Sequence, residues 1–584
     1  MTITAPINPT SDASITPSIH VVIDRCAGCQ ECIVRCPTEA LHMDPVTWTA
    51  VGDDQRCVGC RQCERTCPYA AIVIEGPQLV APRVALGTVH PHDLAFDRSE
   101  TRRSITSWHE ALDEANRCLD CPDPTCVRGC PAHNDIPSFI RALREGDLDE
   151  AHRVIRATSY LPDICSRVCD QAVQCEGSCS WSLAGNIPVA IGALERFIAD
   201  NAPVPPIEVA ENPDGNPITR VAIVGSGPAA IAAAAELLGG GAKVTVFERD
   251  ENPGGLCRWG IPDFTLPEPV ARRPWDDLVT AGVELHTNHN VDADELSTLS
   301  RDYDALVVAT GASVALRAPV PGADLEGVWD ATKFLQAAHR AIAEGQPIPE
   351  LASRPADDGA PGTTRPARVL VLGAGNTAMD VARSARRLGA QATCIDWMDR
   401  RFAPVRPDEL DEATTEGAEV RFSTTLRRLL GSQGHVEEAE LAETVQPKAS
   451  KKPKVLESKT SRIPVDMVVM AMGYRIDPDV AKLGGNVPVP KKGHGVADRR
   501  WVASGLLANP SPPAARHQPV GQLALGREQG ESQAAYPRRE RTWFAGDSLV
   551  GPSTVVEAMA QGKIAAQAIL ATRESRLPGA QNPT

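Results

Sequence analysis

Aromatic residues are scarce in this 584-residue chain, at 4%, and so is positive charge: 59 Lys and Arg stand against 75 Asp and Glu, a net −16. The first scarcity leaves any core to aliphatic residues and alanine. The second excludes nucleic acid as a natural partner, because phosphate binding calls for a basic face. The opening MTITAPINPTSDASIT has neither a basic segment nor an apolar run, so no secretory signal is read and the cytoplasm is expected. One stretch, 221–246, is long enough to cross a bilayer. It holds Glu236, Lys243 and several glycines, however, and divides into strand, turn, helix and strand, so no membrane segment is expected. Cysteine nearly vanishes after residue 180, where only Cys257 and Cys394 occur. A secreted disulfide framework would not be so one-sided. With 42% hydrophobic and 23% charged residues the composition is otherwise that of a folded globular chain, long enough for three or four domains.

What is abundant is cysteine before residue 180, with 16 of the 18. Cys26-x2-Cys29-x2-Cys32-x3-Cys36-Pro37 recurs 31 residues later as Cys57-x2-Cys60-x2-Cys63-x3-Cys67-Pro68. These are the runs of bacterial two-cluster ferredoxins, in which the fourth cysteine of each run serves the other cluster. One [4Fe–4S] cluster is therefore expected on Cys26, Cys29, Cys32 and Cys67, and a second on Cys57, Cys60, Cys63 and Cys36. Zinc sites show separated CxxC pairs instead. A further group follows with different spacing: Cys118, Cys121, Cys126 and Cys130-Pro131, then Cys165, Cys169, Cys175 and Cys179. Spacing alone says metal, and iron–sulfur by its neighbour, without pairing cysteines to clusters.

Along the chain, 1–20 reads as a disordered tail, 21–85 as the ferredoxin-like domain and 86–105, within a Pro-, His- and Gly-containing stretch from 77, as a linker. Residues 106–205 carry amphipathic helical patterns and the second cysteine group. A Pro- and Asn-rich boundary at 201–217 precedes alternating strand and helix signals, the mark of βαβ units on a parallel sheet. Two stretches, the lysine-rich 445–462 and the Pro-, Gly- and Arg-rich 484–541, read as irregular surface insertions.

The segments ALDEANRCLDCPDPTCVRGCPAHNDIPSFI, ICSRVCDQAVQCEGSCS and PVAIGALERF resemble the cluster domain of the glutamate synthase small (β) subunit family. The resemblance runs from about 106 to 570. It implies a helical domain with two [4Fe–4S] clusters, one on Cys118, Cys121, Cys126 and Cys179. The other is on Cys130, Cys169, Cys175 and a non-cysteine ligand, Glu195. Cys165, Cys257 and Cys394 are left over, as small buried hydrophobes. It also implies two Rossmann-like, glutathione-reductase-like domains: an FAD-binding domain over 218–325 and 541–584, and an NAD(P)-binding domain over 326–540.

Both nucleotide sites are legible residue by residue. After the strand Val221–Val224, Gly225, Gly227, Pro228 and Ala229 open a helix, and Glu248 follows Gly225 by 23 residues. Glycines let backbone approach a pyrophosphate at the helix N-terminus, and the acid takes ribose hydroxyls. The resemblance adds Gly255, Leu256, Thr310, Gly311, Gly546, Asp547 and Thr554 to an FAD site, with Asp547 toward the ribityl chain. The second site is Gly373, Gly375, Asn376 and Thr377, with Gly473 assigned to it. Where the family carries a Tyr-Arg-Arg cluster for the 2′-phosphate of NADP, this chain has Asp396-Trp397-Met398, with arginines only at Arg400 and Arg401. Asp396 follows Gly373 by 23 residues, as Glu248 follows Gly225. A carboxylate there accepts ribose hydroxyls and repels a phosphate, which favours NADH.

A nicotinamide site, a flavin and four clusters make an electron-converting module. No side-chain acid or base is required for hydride transfer, so no catalytic residue is expected. The expected partner is an iron–sulfur or flavin subunit, or ferredoxin, in a hetero-oligomer; a 2-oxoacid oxidoreductase complex is one such partner. The alternatives are a glutamate synthase small subunit feeding a large subunit, and a non-catalytic iron–sulfur assembly subunit. Residue 2 is Thr, so no amidotransferase cysteine is read.

Overall fold

The computed structural model describes residues 16–86, 94–102, 104–210, 220–357, 363–478, 480 and 542–574. The chain divides into two compact units, one of residues 1–88 and 103–206, the other of 89–102 and 207–584.

In the first unit the cysteine repeat is held by two small antiparallel pairs. Ser18–Val21 lies against Ile72–Glu75, and Leu41–Met43 against Ala50–Gly52. The first pairing corrects the expected tail: residues 18–20 are strand, because Ile19 and Val21 pack on the core of Leu41, Ile72 and Ile74. Residues 1–15 lie outside the described residues. Seven helices between 108 and 201 follow, several started by side-chain caps. Ser107 and Glu110 form a reciprocal capping box, while Asp135 and Asp147 accept from backbone N–H groups one turn on. The helix Ile136–Arg144 buries Ile136, Phe139, Ile140 and Leu143 in a core shared with Leu194 and Ile198. Val58 and Cys60 of the repeat belong to that same core.

The linker is corrected as well. Gln78 donates to the Ala184 carbonyl at 2.6 Å, Arg83 pairs with Glu176 at 3.2 Å, and the Val84 N–H donates to Glu114 at 2.9 Å. These bonds fasten 78–84 to the helical part. Residues 94–102 belong to the second unit: the Phe96 N–H donates to the Arg387 carbonyl and the Thr101 N–H to the Phe264 carbonyl, both at 2.9 Å. Arg102 is buried against Asp408, Glu409 and Glu412. Where it is described, the linker is anchored chain.

The second unit holds two five-stranded parallel sheets, alike in four positions but with one outer strand taken from the end of the chain in the first and from before the glycine loop in the second. In the first, the order is 542–544, 305–308, 220–224, 243–247, 284–286; in the second, 328–330, 467–470, 368–372, 391–395, 419–421. The stretch 221–246 is the predicted strand, turn, helix and strand. Among the described residues no helix is long and apolar enough to cross a membrane. The lysine-rich insertion expected at 445–462 is corrected: Lys454–Pro464 is an eleven-residue strand paired with His435–Val445, itself paired with Thr424–Ser432. Its side chains are mostly exposed, so ladder hydrogen bonds rather than burial hold it. The stretch 484–541 lies outside the described residues.

Candidate cluster and dinucleotide sites

The backbone of the two cysteine runs is the same fold twice. Gly28 and Gly59, Gln30 and Arg61, and Glu39 and Ala70 all adopt positive φ, so each run curls and turns its thiols to one side. Cys26, Cys29, Cys32 and Cys67 line one cavity with Met43 and Tyr69. Cys36 stands among Cys57, Cys60 and Cys63, close enough that their charges act on one another. The fourth cysteine of each run thus stands with the first three of the other. The Ala40 N–H donates to Cys36 and the Ala71 N–H to Cys67, each at 3.2 Å, and Ala50 and Gly59 donate to Cys26 and Cys57 at 3.4 Å. Such donors favour thiolate sulfur. Burial first, then neighbouring thiolates, pushes Cys32 up to about 11.

Cys118, Cys121, Cys126 and Cys179 line a second cavity, walled by Ile136, Ile140, Trp181 and Val189. Burial pushes Cys118 up to about 11 and Cys121 to about 12. Cys130, Cys169 and Cys175 are buried, and the charge of Glu195 acts on all three. Glu195 sits on the helix Ile191–Asn201; its Oε1 is buried with no hydrogen-bond partner. Burial, then the charge of Asp163, pushes its carboxyl up to about 8. Cys165 is buried and hydrogen-bonds Cys169. An apolar hollow ringed by thiols fits a cationic cluster, which would hold them as thiolates, and the orphaned Glu195 oxygen fits a fourth ligand. Among the described residues no group of three or more His, Cys, Asp or Glu is placed to hold a single metal ion.

The two dinucleotide loops repeat each other at matching points. Gly225 has φ +97°, and a Cβ there would stand 2.4 Å from the Ala309 carbonyl; Gly373 has φ +111°, and its Cβ would stand 2.4 Å from the Ala471 carbonyl. Each glycine lies where the order of its sheet reverses, the crevice in which such sheets bind ligands. Gly227 and Gly375 then precede helices whose first turns hold Pro228 and Ala229, or Asn376 and Thr377. Glu248 accepts from the Asp250 N–H at 2.8 Å and from Ser226, whose hydroxyl also accepts the Gly254 N–H at 2.9 Å. Asp396 accepts from the Met398 N–H at 2.7 Å and the Ala374 N–H at 2.9 Å. It is buried, which raises its pKa, and faces the glycine loop. Arg401 is held by Asp399 at 2.9 Å, while Arg400 is exposed.

The remaining positions cluster around the first loop or beside the second. Gly255 faces Gly227 Cα, Leu256 begins a short helix, and Gly546 packs against Ala229. Thr310 Oγ1 is buried without a partner, and Gly311 has φ +68°. Asp547 accepts from Ser553 N–H and hydroxyl, and Thr554 starts the helix Val555–Glu574 through Glu557. Gly473, φ +96°, leads into the strand Tyr474–Arg475. Sequence reasoning passed over Ser226, although it lies inside the glycine loop, and over Gln62 and Ser180. Gln62 donates to Ser180 Oγ at 2.6 Å, and Ser180 Oγ lies 3.5 Å from Cys121 Sγ.

Family models match in three places: the dihydropyrimidine dehydrogenase domain II with a 4Fe-4S cluster over 96–204, the pyridine nucleotide-disulphide oxidoreductase over 219–502, and the 4Fe-4S dicluster domain over 25–71. The glutamate synthase [NADPH] small chain of Escherichia coli (strain K12) is 30% identical over 79% of this chain and 91% of that protein. "Putative oxidoreductase UacF" of the same organism is 28% identical over 94% of this chain and 80% of that protein. "Putative oxidoreductase AegA", also from it, is 32% identical over 79% of this chain, which spans 65% of that protein. The chain therefore belongs to the glutamate synthase small-chain family of NAD(P)H-dependent flavin and iron–sulfur oxidoreductases, with a ferredoxin-type module at its N-terminal end.

Proposed function

We propose that this chain exchanges electrons between NADH and a separate iron–sulfur protein, a ferredoxin or a 2-oxoacid oxidoreductase complex, by way of FAD and four [4Fe–4S] clusters. The carrying observation is the chain of contacts through the cluster unit: Cys60 of the second run, its neighbour Gln62, Ser180, and Cys121 of the helical group. FAD, when bound, joins the two-electron chemistry of nicotinamide to the one-electron chemistry of iron. The chain's own part is placement. Gly225 and Gly373 admit the pyrophosphates, and the helices after Gly227 and Gly375 turn their N-termini to them. Glu248 and Asp396 take the ribose hydroxyls, while Gly255, Thr310, Asp547 and Thr554 border the flavin. Fifteen cysteines and Glu195 hold the clusters. The inward Asp396, with Arg401 occupied by Asp399, supports NADH over NADPH.

A second reading, a small subunit of glutamate synthase, is favoured by the likeness to the Escherichia coli small chain. The ferredoxin-type module, which is not part of the glutamate synthase small-subunit pattern, favours the first. Anaerobically purified protein is expected to carry about sixteen irons and one FAD and to bleach on NADH addition. Iron near eight, or no bleaching, would overturn the reading.

A further inference from the structure

We propose that the face of the ferredoxin-like module beside Cys29, with Val46 and Trp48, is the docking surface for a second iron–sulfur protein. This deepens the electron-exchange reading above and rests on it.

The internal repeat sets one backbone in two surroundings. At an offset of 31 residues Ala27 corresponds to Val58, Cys29 to Cys60 and Glu31 to Gln62. In the second copy this face is covered. Val58 and Cys60 are 8% exposed and join the core of the helical part, and Gln62 donates to Ser180, whose oxygen adjoins Cys121. What covers it is the wall of another cysteine quartet. In the first copy Ala27, Cys29 and Glu31 face solvent, and Cys29 is the one exposed cysteine among the described residues.

The flank repeats the contrast. A Cβ on Gly59 would meet Pro77 and Gln78, and Gln78 is fastened to Ala184; a Cβ on Gly28 would meet the Trp48 carbonyl. Trp48 is 64% exposed and Val46 85%. The turn that carries them is rigid, since Asp44 accepts from the N–H groups of Val46 at 2.7 Å and Thr47 at 3.0 Å. Bare apolar side chains on a pre-formed turn gain from burial and lose little freedom on docking. The covered copy names the occupant: an uncharged wall around a cluster. Per NADH oxidised to NAD⁺, one proton is released and two partner clusters each gain one electron; the reverse reaction balances likewise.

The probe is a purified bacterial two-[4Fe–4S] ferredoxin, with binding measured anaerobically by calorimetry. The double variant Val46→Asp/Trp48→Asn is expected to weaken binding by about tenfold or more, with iron content and NADH-driven dye reduction as in the parent. Unchanged affinity in the variant would overturn the surface. A parent protein that bleaches with NADH but does not bind the ferredoxin would overturn the occupant. Tighter ferredoxin binding after deletion of 2–15 would make the N-terminal segment the occupant, and a dimer abolished by the double variant would make it a second copy; either outcome overturns the proposal. Absence of bleaching in the parent, read without ferredoxin, would instead sink the proposed function.

Discussion

The two units come to their cofactors by opposite routes. In the nucleotide unit two parallel sheets with strands such as Val221–Val224 and Val369–Leu372 are buried throughout, an apolar core made without any residue assigned to a cofactor, and the glycine loops hang from their ends. In the cluster unit the sheets are two-stranded, with strands of three or four residues. Pairs of this size are marginal alone. The core there is partly the cysteines themselves, Cys32, Cys57 and Cys63 in the ferredoxin-like module and Cys130, Cys175 and Cys179 among the helices. The difference teaches where a cofactor should matter for folding: beside the sheets of one unit, and within the core of the other.

The largest expected effect breaks this comparison if it fails. Stripping iron with a chelator in air is expected to unfold the cluster unit, because ligand binding there is folding free energy. Far-ultraviolet circular dichroism and limited proteolysis would follow the loss, while FAD stays bound to a protease-resistant core of residues from near 207 onward with 94–102 retained on it. Intact helices in the iron-free protein would show that the helical core stands alone.

A substitution in the nucleotide unit is the converse. Glu416 receives both buried guanidinium groups, Arg383 at 2.8 Å and Arg387 at 2.5 Å. Glu416→Gln takes the paired carboxylate from buried Arg387, while Arg383 keeps Glu412 at 2.5 Å, and is expected to destabilise that unit by about 3–5 kcal/mol. Denaturant melts followed by flavin release would read it, with cluster paramagnetic resonance unchanged; altered cluster spectra would mean that the units are energetically one.

The smallest effect sharpens the comparison within the nucleotide unit. Asp396→Ser is expected to shift the ratio of kcat/KM for NADPH over NADH upward by about tenfold, since it removes the charge that repels a 2′-phosphate. Steady-state dye reduction with each nucleotide measures it, and an unchanged ratio would return the choice to Arg400.

Legibility in the sequence followed the distance between a residue and its partner. The glycine loops, their acids 23 residues on and the cysteine runs were readable because each is a local backbone shape with its chemistry inside one short segment. Positive φ at Gly28 and Gly225 and a carboxylate at the next strand end require particular residues wherever they occur. The exchange of Cys36 and Cys67 was expected only from the likeness of the two runs to bacterial two-cluster ferredoxins, since the repeat by itself does not pair them.

What the tertiary structure alone decided lies in pieces whose partners are remote. Ser18–Val21 is strand because Ile72–Glu75 accepts it, and Lys454–Pro464 because His435–Val445 does; the second has no apolar period to announce it. Residues 94–102 were read as tether because their partners, Phe264, Arg383, Arg387 and Glu409, lie far along the chain. The same holds for the difference between Cys29 and Cys60. Identical spacing makes both candidate ligands, but only packing against Ser180 and the helical core buries one and leaves the other at the surface. Spacing encodes which atoms a loop can bring together; exposure depends on what the rest of the chain lays over the loop.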